Sequence, residues 1–227
     1  MSYWDVVADQ YDDLYVDGYS RLEDRAVADL LQSHFIYADR VLDIGCGTGL
    51  GKTLLPDHIE YHGIDPSPTM LARACSRYPN SWFKLGRAED IPHPSEAFDG
   101  AIALYTVWSL VEPAIALREL YRVTKPGSPV LLMGINRLAL WRRDDPTPSG
   151  VYFTRKDPTD SLGTPARFYT DLEFKAALRP YFHGKVLPLS WFANVAQVAA
   201  LWPLDRLLCK VAPSFAHNLI FMGYRHA

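Results

Sequence analysis

The sequence predicts an α/β fold, a doubly wound sheet of seven mostly parallel strands, within a single domain that spans residues 1–227. Five short apolar runs alternate with helical patterns between residues 40 and 135, as βαβ units require. Two later apolar runs, at 182–189 and 219–224, supply the last two strands. The hydrophobic content of 48% and charged content of 22% are typical of a globular domain with one core.

A glycine-rich turn follows the first of these strands. The run from Val41 to Ile44 is apolar and β-branched, and Gly45, Gly47 and Gly49 come directly behind it. Glycine permits a tight turn and lets a ligand lie against the main chain. Because open α/β sheets bind ligands at the carboxyl ends of their strands, this turn is the expected binding site.

Two of the three motifs that compete for this turn are nucleotide motifs. The Gly-x-Gly-x-x-Gly pattern of dinucleotide folds fails in both registers, since Leu50 or Lys52 stands where its last glycine belongs. The phosphate-binding loop matches Gly51, Lys52 and Thr53 but has Cys46 at its first glycine. Its magnesium-binding acid is also missing, because the fourth strand continues into Leu104 and Tyr105.

The third motif, Asp-x-Gly-x-Gly-x-Gly, fits residues 43–49 without a gap. With it, the chain resembles the class I S-adenosylmethionine-dependent methyltransferases of the type-11 (small-molecule) family. Acids follow in the family's order at positions 43, 65, 90 and 99, and residues 117–132 resemble the family's helix, Lys-Pro-Gly turn and strand. The resemblance implies a Rossmann-like methyltransferase fold whose last two strands are antiparallel. It also implies S-adenosylmethionine as cofactor and S-adenosylhomocysteine as product.

The resemblance also implies where the cofactor is held. Asp65, about 20 residues beyond the glycines, is expected to hold the ribose diol, although it could merely cap the next helix. Asp90 is expected to accept from the adenine amino group while Ile91 packs on the ring. Tyr11 is expected to cover the cofactor, or else to pack an N-terminal helix on the domain. The expected cofactor-binding residues are Tyr11, Asp43, Gly45, Cys46, Gly47, Gly49, Asp65, Pro66, Met70, Glu89, Asp90, Ile91, Leu104 and Tyr105.

The sequence identifies no catalytic residue with certainty. Methyl transfer from a sulfonium mainly needs a positioned acceptor and excluded water, so a dense catalytic cluster is not required. The candidates are Tyr11, Tyr105 and Ser109, with Trp108 beside them on the expected acceptor rim. His183 is the best remaining histidine, and its alternative is a packed or exposed strand residue. No residues have metal-ligand spacing, and no metal is expected.

Three segments lie outside the repeating strand and helix pattern. Residues 1–34 are expected to form a helical flap, with Ser20 as the N-cap of a helix and Glu23 at its capping-box position. Residues 137–168 are expected to be an irregular excursion that could cover a substrate. Residues 190–214 are expected to be an apolar helical insertion, which could cover the core, act as a lid or dimer face, or lie on a membrane surface.

Charge and composition limit the classes of partner that the sequence favours. A net charge of −3 argues against a broad nucleic-acid surface. No signal peptide, disulfide framework or membrane span is recognisable, so a cytoplasmic monomer or homodimer without stable membrane insertion is expected. The expected activity is methyl transfer to an O or N atom of a small-molecule acceptor. The alternatives are a lipid-like or quinone-like acceptor, or a non-catalytic cofactor-binding partner subunit.

Overall fold

Strands and helices alternate along the chain in the computed structural model, which describes residues 8, 11, 18–105, 111–139, 145–146, 151–154, 164–192 and 199–227. The strands are β1 Arg40–Ile44, β2 Glu60–Asp65, β3 Trp82–Leu85, β4 Gly100–Ala103, β5 Pro129–Ile135, β6 Asp145–Pro146, β7 Val151–Thr154, β8 Thr164–Arg167, β9 Phe182–Pro188 and β10 Asn218–Arg225. The helices are α1 Gly18–His34, α2 Gly51–Leu54, α3 Pro68–Arg77, α4 Pro113–Val123, α5 Asp171–Leu178 and α6 Trp202–Val211.

Seven of the strands form one sheet in the order β3-β2-β1-β4-β5-β10-β9. β1 pairs in parallel with β2 and β4, and β3 and β5 continue this direction on either side. β10 runs antiparallel to both β5 and β9. The winding reverses between β1 and β4, and such a reversal opens a ligand crevice at the carboxyl ends of the strands. The predicted doubly wound, mostly parallel sheet is confirmed.

The core lies in two layers, one on each face of this sheet. Successive strand residues point to opposite faces, so Leu42 of β1 joins one cluster and Val41 the other. The first cluster is covered by α4 and α5, through residues such as Leu120, and the second by α1, through residues such as Leu31. The site at the sheet edge therefore rests on strands that are packed on both sides.

Local signals set most helix ends. Ser67 is the N-cap of α3 and accepts a hydrogen bond from the Met70 amide, and Thr170 and Glu173 form the predicted capping box of α5. The predicted cap at Ser20 is wrong. α1 begins at Gly18, so Ser20 lies inside the helix, where it is buried.

The prediction of an irregular excursion at 137–168 is also wrong in part. β6, β7 and β8 lie within it and form a three-stranded antiparallel sheet, with Tyr152 opposite Ala166. The β7 residues Val151 to Thr154 are β-branched or aromatic, which favours a strand. Surrounding prolines and charges obscured this short signal.

The predicted helical insertion before the last strand is confirmed by α6. Its carboxylate Asp205 is fully buried and accepts hydrogen bonds from the backbone amides of Trp191 (2.7 Å) and Phe192 (3.0 Å) and from the Tyr19 hydroxyl (2.5 Å). The Tyr19 ring also meets the Trp202 ring edge-on at 5.5 Å. Asp205 thus ties the insertion to α1, and the inner face of α6 acts as a core cover. The lid, dimer and membrane roles of the insertion stay predictions.

A second buried carboxylate lies under the glycine turn. Asp43, the fourth of the five residues of β1, is 2% exposed and accepts a hydrogen bond of 2.5 Å from the hydroxyl of Tyr61 on β2. Burial raises the pKa of Asp43 from 3.8 to about 7, a rise that the Tyr61 hydrogen bond opposes and the charge of Asp65 adds to. Neutral Asp43 is therefore the form that the folded state prefers below about pH 7.

We expect this carboxyl group to make stability depend on pH. Between about pH 4 and pH 7 the folded protein holds the Asp43 proton more tightly than the unfolded chain does, so the free energy of unfolding falls as pH rises through this window. Asp43→Asn removes the titrating group. Between pH 4 and pH 8, the unfolding free energy of this variant minus that of the wild type should therefore increase, by at most about 4 kcal/mol. Urea unfolding at several pH values measures it.

Asp57→Asn serves as the control, because Asp57 is an exposed carboxylate. This variant should keep the pH dependence of the wild type. Equal pH dependence in Asp43→Asn and wild type would show that Asp43 is ionised in the folded state.

Candidate functional site

The glycine turn is held against the end of β2. The amides of Gly45 and Cys46 both donate to the carbonyl oxygen of Ile64, at 2.8 and 3.0 Å. Gly45, Gly47 and Gly49 have φ values of +68°, +53° and +90°, in the left-handed region that favours glycine. The alternating glycines are therefore required by the backbone itself, which explains the spacing seen in the sequence.

Asp65 bridges the glycine turn and the start of α3. One of its carboxylate oxygens accepts from the Gly47 amide at 2.9 Å, and the other accepts from the Ser67 amide at 2.8 Å. Capping of α3 is done by the Ser67 hydroxyl. Asp65 thus fixes the two backbone segments that border the crevice.

The glycines of the turn differ in what lies beside them. A Cβ built on Gly47 would meet no atom of the described residues within 4 Å, whereas one on Gly49 would meet the Tyr78 ring at 2.9 Å. A Cβ on Gly51 would lie 2.2 Å from the Asp43 carboxylate. Within the described part of the chain, open space therefore adjoins Gly47, next to the Asp65 carboxylate. Gly51, which completed the near match to a phosphate-binding loop, is explained by the close approach of Asp43.

Two of the predicted cofactor residues lie beneath the turn. Cys46 is buried, and its sulfur lies 2.7 Å from where a Cβ on Gly63 would be. Burial raises the pKa of its thiol well above the usual range, so the thiol is neutral. Asp43 Oδ1 is buried without a hydrogen-bond partner in the described part of the chain. Both residues support the turn from inside, while Gly47 and Asp65 border the open space.

The loop of residues 86–93, predicted to contact adenine, is clamped to α4. Glu119 accepts from the Ile91 amide at 3.0 Å, and Arg122 donates to the carbonyl oxygens of Ile91 (3.0 Å) and His93 (2.8 Å). Glu119 and Arg122 also form an ion pair at 2.7 Å, and its hydrogen bond is the main cause that lowers the pKa of Glu119. This clamp fixes the loop backbone at the sheet edge.

Side chains of this loop point in different directions. Asp90 is exposed, whereas Ile91 is 2% exposed and packs in the core. Glu89 accepts from the backbone amide of Glu112 at 3.0 Å. Asp90 is thus the loop acid that is open to a ligand, and the contact of Ile91 with an adenine ring stays a prediction.

Tyr11 and Met70 come together at the start of α3. They pack with Ala8 in one small apolar cluster, in which Met70 is buried and Tyr11 is half-buried. Pro66, just before α3, is exposed. The predicted flap over the cofactor stays a prediction, because most of residues 1–17 lie outside the described residues.

Tyr105 follows β4 and faces α1. Its φ of +56° is unusual for a residue other than glycine, and the preceding Leu104 is buried in the core. The Tyr105 hydroxyl donates to the carboxylate of Asp24 on α1. Burial, and then the charge of Asp24, raise the pKa of Tyr105 well above its usual value, so the phenol stays protonated. Strained backbone of this kind is often found at functional sites.

The structure does not bring every predicted residue to this edge. His183 pairs with Tyr224 near the start of β9, where β10 pairs with the first residues of β5. His183 is therefore at the opposite end of the sheet from the glycine turn, exposed and stacked on the rings of Tyr224 and His226. Thr106–Leu110, including Trp108 and Ser109, lie outside the described residues.

Asp99 also lies at the far edge. It accepts hydrogen bonds from the Arg40 amide at 3.1 Å and from the Lys125 ammonium at 2.6 Å. Of the four acids in the family's order, Asp99 is therefore the one that holds the starts of strands. Conversely, sequence reasoning missed Asp24, Glu119 and Arg122. The i, i+3 spacing of Glu119 and Arg122 on one helix was a signal, but it does not say that their partners lie in residues 86–93.

Among the described residues, no group of three or more His, Cys, Asp and Glu side chains gathers in a way that could hold a metal ion. None of the described helices combines the length and apolar character needed to cross a membrane.

Part of this chain is similar in sequence to known methyltransferases. Residues 42–132 match the family described as "Methyltransferase domain". A demethylmenaquinone methyltransferase of Symbiobacterium thermophilum is 37% identical over 108 residues, which cover 42% of this chain and 42% of that protein. An uncharacterized methyltransferase of Mycobacterium bovis is 38% identical over 91 residues, 40% of this chain and 37% of that protein. The chain spans less than half of the length of these two curated relatives.

The whole described fold is similar to solved structures. A Thermotoga maritima protein, described as an S-adenosylmethionine-dependent methyltransferase and possible histamine N-methyltransferase, superposes with a TM-score of 0.67 at 20% identity, covering 97% of each chain. At this identity the likeness shows the fold. Residues 42–132 thus match the methyltransferase-domain family, in agreement with the sequence motifs, and the fold of the described residues is similar to that of solved methyltransferase structures.

Proposed function

We propose that this chain is an S-adenosylmethionine-dependent methyltransferase that methylates an O or N atom of a small-molecule acceptor. The observation that carries the proposal is the open space beside Gly47, bordered by the Asp65 carboxylate, at the point where the winding of the sheet reverses. A nucleoside needs bare backbone, an acceptor for its ribose diol and an acid for its base. Gly47, Asp65 and Asp90 offer these groups at one edge.

Each of these residues has a definite task in the proposal. Asp65, whose carboxylate lies at the glycine turn, accepts from the ribose hydroxyls, and Asp90 accepts from the adenine amino group. The Glu119 and Arg122 clamp keeps the loop in place, and Tyr11 and Met70 border the same edge. When bound, S-adenosylmethionine would supply the methyl group of its sulfonium, its sulfur would leave as the neutral thioether of S-adenosylhomocysteine without an acid catalyst, and the acceptor proton would pass to solvent.

Tyr105 is the residue that we assign to the acceptor. Its hydroxyl proton is committed to Asp24, which turns the lone pairs of the phenol oxygen toward other donors. An acceptor O–H or N–H can therefore donate to Tyr105, and the Asp24 carboxylate favours a positive or proton-releasing acceptor nearby. Asp24 acts through Tyr105 as a positioning residue.

A quinone-like acceptor is the second candidate. It is supported by the 37% identity to a demethylmenaquinone methyltransferase over 108 residues, 42% of this chain. A methyl-transfer assay with labelled cofactor, run in parallel on panels of small amines, phenols and demethylquinones, separates the two candidates. A partner subunit without activity would bind the cofactor and label no acceptor.

We expect Asp65→Asn to weaken cofactor binding. Asparagine keeps the size of the side chain but replaces one acceptor oxygen by a donor, so it cannot hold both backbone amides and both ribose hydroxyls. Isothermal titration calorimetry with S-adenosylhomocysteine should give a dissociation constant at least about tenfold above that of the wild type, a loss of about 1.4 kcal/mol. Asp57→Asn, an exposed carboxylate away from the turn, is the matched control and should bind as the wild type does.

Two outcomes would contradict the proposal. One is the absence of S-adenosylhomocysteine binding to a folded wild-type protein. The other is binding that Asp65→Asn leaves unchanged, which would place the ligand away from the glycine turn.

We expect Arg122→Met to loosen the loop of residues 86–93. Methionine keeps an unbranched apolar stem but loses the hydrogen bonds to the carbonyl oxygens of Ile91 and His93. The dissociation constant for S-adenosylhomocysteine should rise at least about threefold, because the free-energy cost of ordering the loop then opposes binding. Hydrogen–deuterium exchange of the loop amides should also become faster in the ligand-free protein.

Arg118→Met is the control on the same helix. Arg118 is exposed and donates to the Ala114 carbonyl of its own helix, so its loss should change neither the affinity nor loop exchange. If Arg122→Met exchanges faster in the loop and binds S-adenosylhomocysteine like the wild type, the loop does not contact the ligand.

A further inference from the structure

A groove of about 550 Å³ separates α1 from α6 and lies over the ends of β9 and β10. Its volume lies within the range of small-molecule sites. The floor is apolar and comes from both α1 and the sheet. The floor residues are Leu22, Ala26, Leu30, Leu187, Leu189 and Ile220.

The rim of the groove is positively charged. Arg25, Arg206 and Lys210 line it, against one carboxylate, Asp29. The chain as a whole has a net charge of −3, so this local excess of cations runs against the overall balance. Clustered cations at a concave, apolar surface raise the local concentration of anions.

Arg206 is held at the mouth of the groove. Its guanidinium lies over the Trp202 ring, 5.7 Å from the ring centroid, and donates to the Leu189 carbonyl at 3.1 Å. A guanidinium positioned in this way keeps further N–H donors for an anionic group. Arg25 and Lys210 are exposed and add charge on either side.

The groove is separate from the candidate methyltransferase site. With 3.6 residues per turn, Leu22 and Ala26 project from the flank of α1 opposite Asp24. Asp24 contacts Tyr105 at the end of β4, so the two flanks of α1 face two different sites. The inference drawn from the groove therefore does not rest on the proposed function.

We propose that this groove binds an amphiphile with one alkyl chain and an anionic head group. The chain lies on the apolar floor, where burial of each CH₂ group is favourable. The head group lies among Arg25, Arg206 and Lys210. An amphiphile with a cationic head is repelled by the same three side chains.

Calorimetry with two amphiphiles of nearly equal chain length tests this directly. Dodecanoate and dodecyltrimethylammonium, each kept below its critical micelle concentration, are titrated into the full chain. Dodecanoate should bind at least about tenfold more tightly than the cationic compound. Its affinity should fall when the salt concentration is raised from 50 to 500 mM, since salt screens the rim charges.

Three variants locate the binding. Arg25→Glu and Lys210→Glu, both at exposed positions, should each weaken dodecanoate binding at least about fivefold, and Ala26→Trp should block the floor. Arg21→Glu, an exposed arginine on α1 outside the groove, is the matched control and should leave the affinity unchanged. Circular dichroism melting checks that each variant is folded.

Several results would overturn the proposal. They are the absence of dodecanoate binding, equal binding of both head groups, and binding that the three groove variants leave intact. Sedimentation with phosphatidylcholine vesicles that contain 25% phosphatidylglycerol adds a further one. If the protein binds such vesicles but not monomeric dodecanoate, the ligand is a lipid surface on the exposed face of α6 at Leu204, Leu207 and Val211, and not a molecule in the groove.

Discussion

The bridge made by Asp65 is the interaction on which the rest of the site depends. Its carboxylate holds the Gly47 amide on one side and the Ser67 amide on the other, at 2.9 and 2.8 Å. The first bond fixes a turn whose left-handed φ values favour glycine, and the second fixes the start of α3. A carboxylate at the end of β2 therefore preorganises two backbone segments around one crevice, and a ligand that binds there meets surfaces already in place.

Two buried carboxylates stabilise the structure around this site. Asp43 lies under the turn with the Tyr61 hydroxyl, and Asp205 joins α6 to α1 through Tyr19 and two backbone amides. Burying an acid is costly unless hydrogen bonds compensate. Asp205 is well compensated, whereas Asp43 responds through a raised pKa. The same sheet edge thus combines rigid supports with one group that titrates near neutral pH.

Features encoded in short stretches of sequence were predictable, and those encoded by distant partners were not. The glycine spacing at 45–49, the Thr170 capping box and the alternation of strands and helices followed from local patterns. Contacts between Arg122 and Ile91 join residues 31 apart, and those between Tyr105 and Asp24 join residues 81 apart. No periodicity links such pairs, so the loop clamp and the acceptor-side acid emerged only from the structure. Asp205 was missed for a related reason, since an acid on an apolar helix usually indicates a solvated face.

A crystal structure with S-adenosylhomocysteine is the most direct test of the account. We predict that the ribose hydroxyls lie within hydrogen-bond distance of the Asp65 carboxylate, with the Gly47 to Asp65 bond intact and the base against residues 86–93. A nucleoside bound elsewhere, or one whose binding requires the Asp65 bridge to break, would contradict the claim that this bridge builds the site.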